Sequence, residues 1–201
     1  ASLVGSEMCI RDRIRMDPKT NTLIRAGVPS TVNPFDKYAL EAAVQLREAL
    51  GGTVTAMTMG PAQAAQALRE CYALGADRMV LVSDRCFGGA DTYATSYTLA
   101  QAVRALGGFD LILCGRQAID GDTAQVGPQV AEKLGLPQVT YAEEILEVRE
   151  GALVIKRRLE HGTEVVECPI PAVVTVNASA AECRPRNAKR CLLYTSPSPR
   201  D

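Results

Sequence analysis

A loop rich in hydrogen-bonding side chains follows an apolar stretch near the middle of the chain. Leu111–Cys114 reads LILC, and residues 115–126 continue as GRQAIDGDTAQV. Pro128 is tolerated only in the first turn of a helix, so that helix should begin between Asp122 and Gly127. Its first backbone N–H groups would then be free to hold an anion such as phosphate.

Three further residues of this loop could help to hold a phosphate. Gly121 allows a tight turn or a close approach of the backbone to a ligand, Thr123 offers a hydroxyl and Gln125 offers an amide. Asp120 and Asp122 oppose this interpretation because carboxylates repel phosphate, although Asp122 is a candidate cap for the helix. Nucleotide binding and a well-capped structural loop therefore both remain open.

Other chemistries that use such residues are less well supported. The aspartate-nucleophile pattern D-x-D-x-T is incomplete because Ala124 stands where threonine is needed. A divalent-metal site on Asp120 and Asp122 would need a third acidic ligand, and none lies nearby in the sequence. The loop has neither the Gly-Lys-Ser/Thr of a Walker A motif nor GxGxxG spacing. We therefore predict no catalytic residue and no metal site.

The elements that would position this loop alternate between strands and helices. Thr53–Met59, residues 78–84 and residues 110–115 are predicted strands, and each is followed by an amphipathic helix. Buried strands that are apolar on both faces indicate a parallel sheet covered on both sides, so we predict an α/β fold with a Rossmann-like, doubly wound sheet. Right-handed crossovers would bring every strand-to-helix loop to one edge.

The first of the predicted helices has a marked start. Asn33 is a good N-cap residue, Pro34 suits the first helical position, and Asp36 stands where a capping-box carboxylate would lie. Gly51 and Gly52 supply the stop. Asn33 and Asp36 are therefore expected to cap this helix.

After Pro137 the apolar period changes from helical to alternating. EEILEV, ALVIKRRLE and TEVVECP read as three antiparallel strands in a small hairpin extension at about 139–169, with turns at 150–151 and 161–162. Residues 170–177 read as a strand that returns to the main sheet. The polar and basic segment AAECRPRNAKR should then leave the domain as an arm.

Composition limits the classes of partner. The 201 residues are 47% hydrophobic, enough for one sizeable core. With 22 Lys and Arg against 23 Asp and Glu, there is no electrostatic footprint for nucleic acid. No apolar run approaches the roughly 20 residues of a membrane span. The seven cysteines form no CxxC pair. We expect a cytoplasmic protein with small-molecule or protein partners.

The two ends do not continue the patterns of the chain between them. ASLVGSEMCIRDR (1–13) and CLLYTSPSPRD (191–201) resemble translated sequencing-adapter sequence. We expect both to be non-native, so that the natural sequence enters at about Ile14 and leaves at about Arg190, truncated at both ends.

Three separated blocks of sequence closely resemble the β subunit of electron transfer flavoprotein. They are NPFDKYALEAAVQLRE, TMGPAQAAQALRECYALGADR and LILCGRQAIDGDTAQVGPQVAEKLGLPQVTY, and the resemblance extends over about Ile14 to Arg190. It implies a heterodimer with an α subunit that holds a redox-active FAD, and dehydrogenase partners such as an acyl-CoA dehydrogenase. The β subunit would bind AMP, or a second FAD in electron-bifurcating members.

The resemblance also implies a set of cofactor-binding residues. Transferred position by position, these are Asn33, Pro34, Phe35, Asp36, Met59, Gly115, Arg116, Gln117, Ala118, Ile119, Asp120, Gly121, Asp122, Thr123, Ala124, Gln125 and Val126. Met59 is credible only through its backbone. Phe35 could face the flavin of the α subunit or simply pack, and Arg116 could pair with a phosphate or with Asp120.

The resemblance implies a domain division as well, in which residues 14–180 form the nucleotide-binding domain and residues 181–190 begin a C-terminal arm. The family's first strand is replaced here by the adapter-like segment. GDTAQVG resembles members found in anaerobes, which favours the bifurcating type. The alternative hypothesis is a stand-alone adenine-nucleotide-binding regulatory domain without redox activity, and fold alone does not choose between the two.

Overall fold

The computed structural model describes residues 2–5, 8–9, 31–119 and 121–195. In chain order its strands and helices are β1 (Ser2–Gly5), β2 (Met8–Cys9), β3 (Thr31–Val32), α1 (Pro34–Leu50), β4 (Thr55–Met59), α2 (Ala65–Leu74), β5 (Arg78–Val82), α3 (Thr92–Leu106), β6 (Leu111–Gly115), α4 (Val126–Leu134), β7 (Gln138–Arg149), β8 (Ala152–Leu159), β9 (Gly162–Pro169), β10 (Ala172–Val176) and α5 (Ala188–Thr195). In this described part, no helix is long and apolar enough to cross a membrane.

An eight-stranded sheet in the order β5-β4-β1-β6-β10-β7-β8-β9 organises the fold. All neighbours from β5 to β7 are parallel, and β8 and β9 are antiparallel additions. The predicted α/β class with a parallel sheet is therefore confirmed. The chain runs from β1 outward through β4 to β5, then returns to the other side of β1 for β6. The gap between β1 and β6 is thus a topological switch point, where open α/β sheets place their ligands.

The central strand β1 lies within residues 1–13, the segment for which we predict a non-native origin. Its backbone pairs with β4 and with β6, so Ser2–Gly5 occupies the position that the first strand of such a sheet requires. The origin of the segment stays a prediction.

Successive residues of a strand point to opposite faces of the sheet. The strands carry apolar residues on both faces, and helices cover both. In β6, Leu111 and Leu113 pack in the core formed with α1 and α2, which includes the fully buried Leu40. Ile112 packs on the other face with α3 and α4, against residues such as Leu99. The continuous apolar run of β6 is the consequence of this double coverage.

The prediction that the strand at 78–84 is buried is wrong. It forms β5, the first strand in the sheet order, which hydrogen-bonds to β4 on one side. Arg78 and Met79 are exposed. An apolar run of four residues, here 79–82, reads alike in a central strand and in an edge strand that a helix covers, and α2 contacts β5.

The antiparallel extension is confirmed, but it is continuous with the main sheet. The first residues of β7 pair in parallel with β10, and from Ala142 onward β7 pairs with β8. The change occurs at Tyr141, which has a φ of +59°, next to a shift of register. Gly151 and Gly162 have positive φ at the two predicted turns. The long strand β7 therefore belongs both to the parallel part of the sheet and to its antiparallel extension.

The prediction that the basic segment leaves the domain is wrong. Residues 184–190, named here the arm segment, lie along α1 and α2. Arg184 binds both Glu41 and Glu48, and Arg190 Nη1 donates to the carbonyl oxygens of Tyr72 and Ala76. A run of basic residues reads as a solvated arm in sequence because its acidic partners lie more than a hundred residues away.

We expect Leu113→Ala to lower the free energy of unfolding by about 2–5 kcal/mol, because Leu113 is fully buried in the sheet centre. Leu50→Ala is the matched control, since Leu50 is 63% exposed at the end of α1 and should cost less than about 0.5 kcal/mol. Urea unfolding followed by circular dichroism measures both. Equal losses in the two variants would contradict the assigned core.

Candidate functional site

The predicted site residues of α1 and β6 meet at the carboxyl edge of the sheet. The start of α1 lies against the end of β6, and residues 116–125, named here the β6 loop, extend from that contact to α4. Met59 ends β4 on the same edge, separated from β6 by β1. Asp120 lies outside the described residues.

Asn33 is buried and ties the start of α1 to the β6 loop. It occupies the N-cap position, but its side chain makes no capping hydrogen bond. Its Nδ2 instead donates to the carbonyl oxygen of Gln117 at 2.8 Å and to Asp36 Oδ2 at 3.3 Å. The predicted capping role of the Asn33 side chain is therefore wrong, because the tertiary contact with the loop uses its amide.

Asp36 forms the most direct link between the two elements. Its Oδ1 accepts a hydrogen bond of 2.7 Å from the backbone N–H of Gly115, and the residue is only 4% exposed. A Cβ on Gly115 would stand 2.7 Å from Asp36 Oδ1 and from the backbone of Phe35, so glycine is required there. The glycine at the end of β6 thus serves this close approach.

Burial raises the pKa of Asp36 from 3.8 to about 6, although the hydrogen bonds from Gly115 and Asn33 act in the opposite direction. The loss of hydration on burial outweighs these two hydrogen bonds, so the protonated form is favoured. Above that pH the ionised Asp36 carboxylate therefore lowers the free energy of unfolding.

The β6 loop has an unusual backbone conformation. Asp122 has a φ of +48° and Ala124 has a φ of +53°, values that non-glycine residues rarely adopt. Asp122 accepts a short hydrogen bond from Gln117 Nε2, and its N–H donates to the carbonyl oxygen of Ala118. Such strain is typical of functional loops that the surrounding structure holds in place.

The helix start after this loop carries no side-chain cap. The structure begins α4 at Val126, inside the predicted interval, with Gln125 at the N-cap position and no capping side-chain bond. The prediction that Asp122 caps this helix is therefore wrong, since its carboxylate binds Gln117. Thr123 is exposed beside the helix start.

Gly127 belongs to the site, and the sequence analysis missed it. A Cβ there would stand 2.6 Å from Thr175 Cγ2 on β10, so the first turn of α4 presses directly on the sheet. The nearby Pro128 marked the helix start, but nothing local indicates how close that start lies to β10.

A hydrogen-bonded ladder between α3 and α4 was also missed. Thr92 Oγ1 donates to Gln125 Oε1 at 3.0 Å, and Ser96 Oγ donates to Gln129 Oε1 at 2.8 Å. Gln129 Nε2 lies 3.4 Å from Thr92 Oγ1. The Gln125 oxygen is thereby fixed, and its amide is oriented at the edge of the loop.

Arg116 lies between two aromatic rings. Its guanidinium carbon is 5.4 Å from the centre of the Phe35 ring and 5.6 Å from that of Tyr141. Its Nε donates to Gln117 Oε1 at 2.7 Å and its Nη1 to Asn177 Oδ1 at 3.4 Å. Tyr141 lies in β7 and Asn177 directly follows β10, and the local sequence pattern indicated neither as part of the site. An Arg116 pair with Asp120 lies outside the described residues.

Comparison with known proteins assigns the chain to a family. The profile of the family described as "Electron transfer flavoprotein domain" matches residues 20–191. This chain belongs to the electron transfer flavoprotein family. The predicted resemblance is therefore confirmed, and the β6 loop and the start of α1 lie inside the matched range.

The chain is similar to a named β subunit of electron transfer flavoprotein and to two relatives with other names. It is 53% identical over 164 residues to "Electron transfer flavoprotein subunit beta" of Thermoanaerobacterium thermosaccharolyticum, covering 82% of this chain and 62% of that protein. It is 52% identical over 165 residues to "Caffeyl-CoA reductase-Etf complex subunit CarD" of Acetobacterium woodii, with 82% and 63% covered. It is 45% identical over 178 residues to "Protein FixA" of Bradyrhizobium diazoefficiens, with 86% and 62% covered. The chain thus spans about 62% of the length of the first of these electron transfer flavoprotein relatives.

We expect the stability of this electron transfer flavoprotein chain to fall as pH rises from about 4 to about 6 through Asp36. The folded state binds this proton more tightly than the unfolded state, whose pKa is near 3.8, so the contribution is fully present below 3.8 and lost through about 6. The loss amounts to about 3 kcal/mol at one pKa unit per about 1.4 kcal/mol. Urea unfolding at several pH values measures it.

In the Asp36→Asn variant this fall between pH 4 and 6 should be absent, because an amide does not titrate and its oxygen can still accept from Gly115. Asp110→Asn, at an exposed aspartate before β6, tests whether the loss of a carboxylate alone changes the slope. An unchanged slope in Asp36→Asn would contradict the assignment.

Proposed function

We propose that this chain is part of an electron transfer flavoprotein β subunit that binds an adenine nucleotide at the β6 loop. The nucleotide is AMP or a second FAD. With an α subunit that holds a redox-active FAD, the protein carries electrons between flavin dehydrogenases, of the acyl-CoA dehydrogenase kind, and other redox partners. We place this function in the cytoplasm, as the composition predicts.

The observation that carries the proposal is the start of α4 at the switch-point edge without a side-chain cap. The free N–H groups of such a helix start favour an anion, and the positive end of the helix dipole adds to that preference. The exposed hydroxyl of Thr123 lies beside it. A phosphate group has the charge and the acceptor oxygens that this arrangement suits.

The surroundings of the β6 loop also fit a nucleotide. The carboxylate of Asp122, which would repel a phosphate, is turned to Gln117 and accepts its hydrogen bond. Two hydrogen bonds join the start of α1 to the end of β6 and to the β6 loop: Gly115 N–H donates to Asp36, and the Asn33 amide donates to the Gln117 carbonyl oxygen. The loop is thus shaped by the protein before any ligand binds, which lowers the ordering cost of binding.

The residues of this chain would act by position and charge. The flavin supplies the redox chemistry when it is bound, and the protein orients it and sets its electrostatic surroundings. Arg116, held between Phe35 and Tyr141, is a fixed positive charge at the exposed edge of the sheet. We assign it the role of orienting an anionic group of the nucleotide or of the partner's cofactor. No proton transfer by a side chain is needed.

The names of the relatives support the heterodimer and leave the nucleotide open. One relative is named as an electron transfer flavoprotein β subunit, and another is named as a subunit of a caffeyl-CoA reductase-Etf complex. A β subunit implies an α partner. The bifurcating type, with a second FAD, is our preferred form because GDTAQVG in this chain resembles members found in anaerobes.

The deciding experiment is cofactor analysis of a heterodimer. This chain is co-expressed with the α subunit of a close relative, and the flavin and AMP content per heterodimer is measured. Two FAD would support the bifurcating form, and one FAD with one AMP would support a simple carrier. A folded chain that forms no heterodimer, and holds nucleotide without flavin, would favour the stand-alone regulatory domain.

We expect Thr123→Val to weaken binding of the nucleotide in this subunit about tenfold, because the valine cannot donate to a phosphate. The FAD of the α subunit should be retained in full. Thr98→Val is the matched control, since the Thr98 hydroxyl donates to the carbonyl oxygen of Ala94 within α3, away from the loop. Equilibrium dialysis with radiolabelled AMP measures both, and equal affinities would contradict the assigned phosphate site.

A further inference from the structure

Glu70 on α2 is a nearly buried carboxylate that contacts three separate segments of the chain. Its side chain is 10% exposed. Its Oε1 lies 2.8 Å from Lys37 Nζ on α1 and 2.9 Å from Arg186 Nη2 in the arm segment. Its Oε2 accepts a hydrogen bond of 3.4 Å from the backbone N–H of Val32 on β3. One carboxylate therefore joins β3, α1 and the arm segment.

Two of these contacts bracket the site at the start of α1. Val32 immediately precedes Asn33, and Lys37 immediately follows Asp36. Between them lie the residues that bind the β6 loop through the Asn33 amide and the Asp36 carboxylate. Glu70 does not touch the loop, but it holds both ends of the segment that does. Displacement of residues 32–37 would move both contacts with the loop.

The third contact belongs to a segment that is docked largely by charge. Besides Arg186, Arg184 binds Glu41 and Glu48, and the backbone N–H of Asn187 donates to the Ala73 carbonyl oxygen near the end of α2. The positively charged arm segment lies on a negatively charged strip of α1 and α2. Loss of one of its cations leaves part of that negative charge unpaired.

We propose that Glu70 is a positioning residue that couples the site segment 32–37 to the docking of the arm segment. Its negative charge is shared between Lys37 and Arg186, so that Arg186 helps to hold the carboxylate in the orientation that also accepts from Val32. The nucleotide part of this inference rests on the proposed function. By thermodynamic reciprocity, a ligand that orders the site segment strengthens docking of the arm segment, and arm docking strengthens ligand binding.

The test is hydrogen–deuterium exchange of the full chain without nucleotide, followed in the peptides 31–40 and 180–190. Glu70→Gln keeps the shape of the side chain and removes its charge, so we expect exchange in both peptides to become about tenfold faster. Arg186→Gln alters a residue whose side chain is 61% exposed. Arg186 binds Oε1 of Glu70, whereas the N–H of Val32 binds Oε2. Arg186→Gln should make exchange about threefold faster in both peptides.

The response of peptide 31–40 to Arg186→Gln is decisive, because a merely local role of Arg186 would change only the arm segment. The matched control is Arg157→Gln, which removes an ion pair with Glu164 in the antiparallel extension and should leave both peptides unchanged. Faster exchange confined to 180–190 in Arg186→Gln would overturn the proposal, whatever Glu70→Gln does to overall stability.

A second measurement separates this inference from the proposed function. AMP added to the wild-type heterodimer should slow exchange in both peptides, and its effect on 180–190 should be lost in Glu70→Gln. Protection of 31–40 by AMP with no change in 180–190 would overturn the coupling. Protection of neither peptide would count against nucleotide binding, and the comparison without nucleotide would still decide the role of Glu70.

Discussion

A buried carboxylate joins the start of α1 to the end of β6, and the geometry of the candidate site depends on that contact. Asp36 has little exposure to water, so its oxygens must be satisfied within the protein. The N–H of Gly115 and the amide of Asn33 satisfy them. Because β6 is central in the sheet and α1 packs on its face, the hydrogen bond positions the whole β6 loop relative to the helix.

Close packing of two glycines against neighbouring elements is the second constraint on this edge. Gly115 lies against Asp36 and Phe35, and Gly127 lies against Thr175. These two glycines stand at the two ends of the β6 loop and leave its path little freedom. Between them, Asp122 and Ala124 have positive φ values, which non-glycine residues adopt only where the surrounding structure holds them.

Outside the site, acidic and basic side chains are grouped on facing segments, although the net charge of the whole chain is only −1. Acidic residues on α1 and α2 face the cations of the arm segment, and Glu70 shares its carboxylate between the arm segment and the start of α1. Surface ion pairs of this type contribute little one at a time. Several on one strip, with carbonyl oxygens of α2 as further acceptors, are sufficient to dock a segment that sequence alone describes as a solvated arm.

Local pattern in the sequence determined the element order from α1 to β10, the α/β class, the parallel sheet and the extension, because hydrophobic period, proline and glycine act over a few residues. It also placed the start of α4 within the interval Asp122–Gly127 and brought the β6 loop and α1 to one edge. Tertiary structure alone decided that β5 is an edge strand and that the Asn33 amide and the Asp122 carboxylate do not cap helices. It also decided that Arg116 lies between Phe35 and Tyr141, that Gly127 touches β10, and that the arm segment docks. Except for the Asp122 carboxylate, which binds Gln117 five residues away, each of these depends on partners far away in the chain, and a polar side chain binds whichever partner the fold brings within hydrogen-bonding distance.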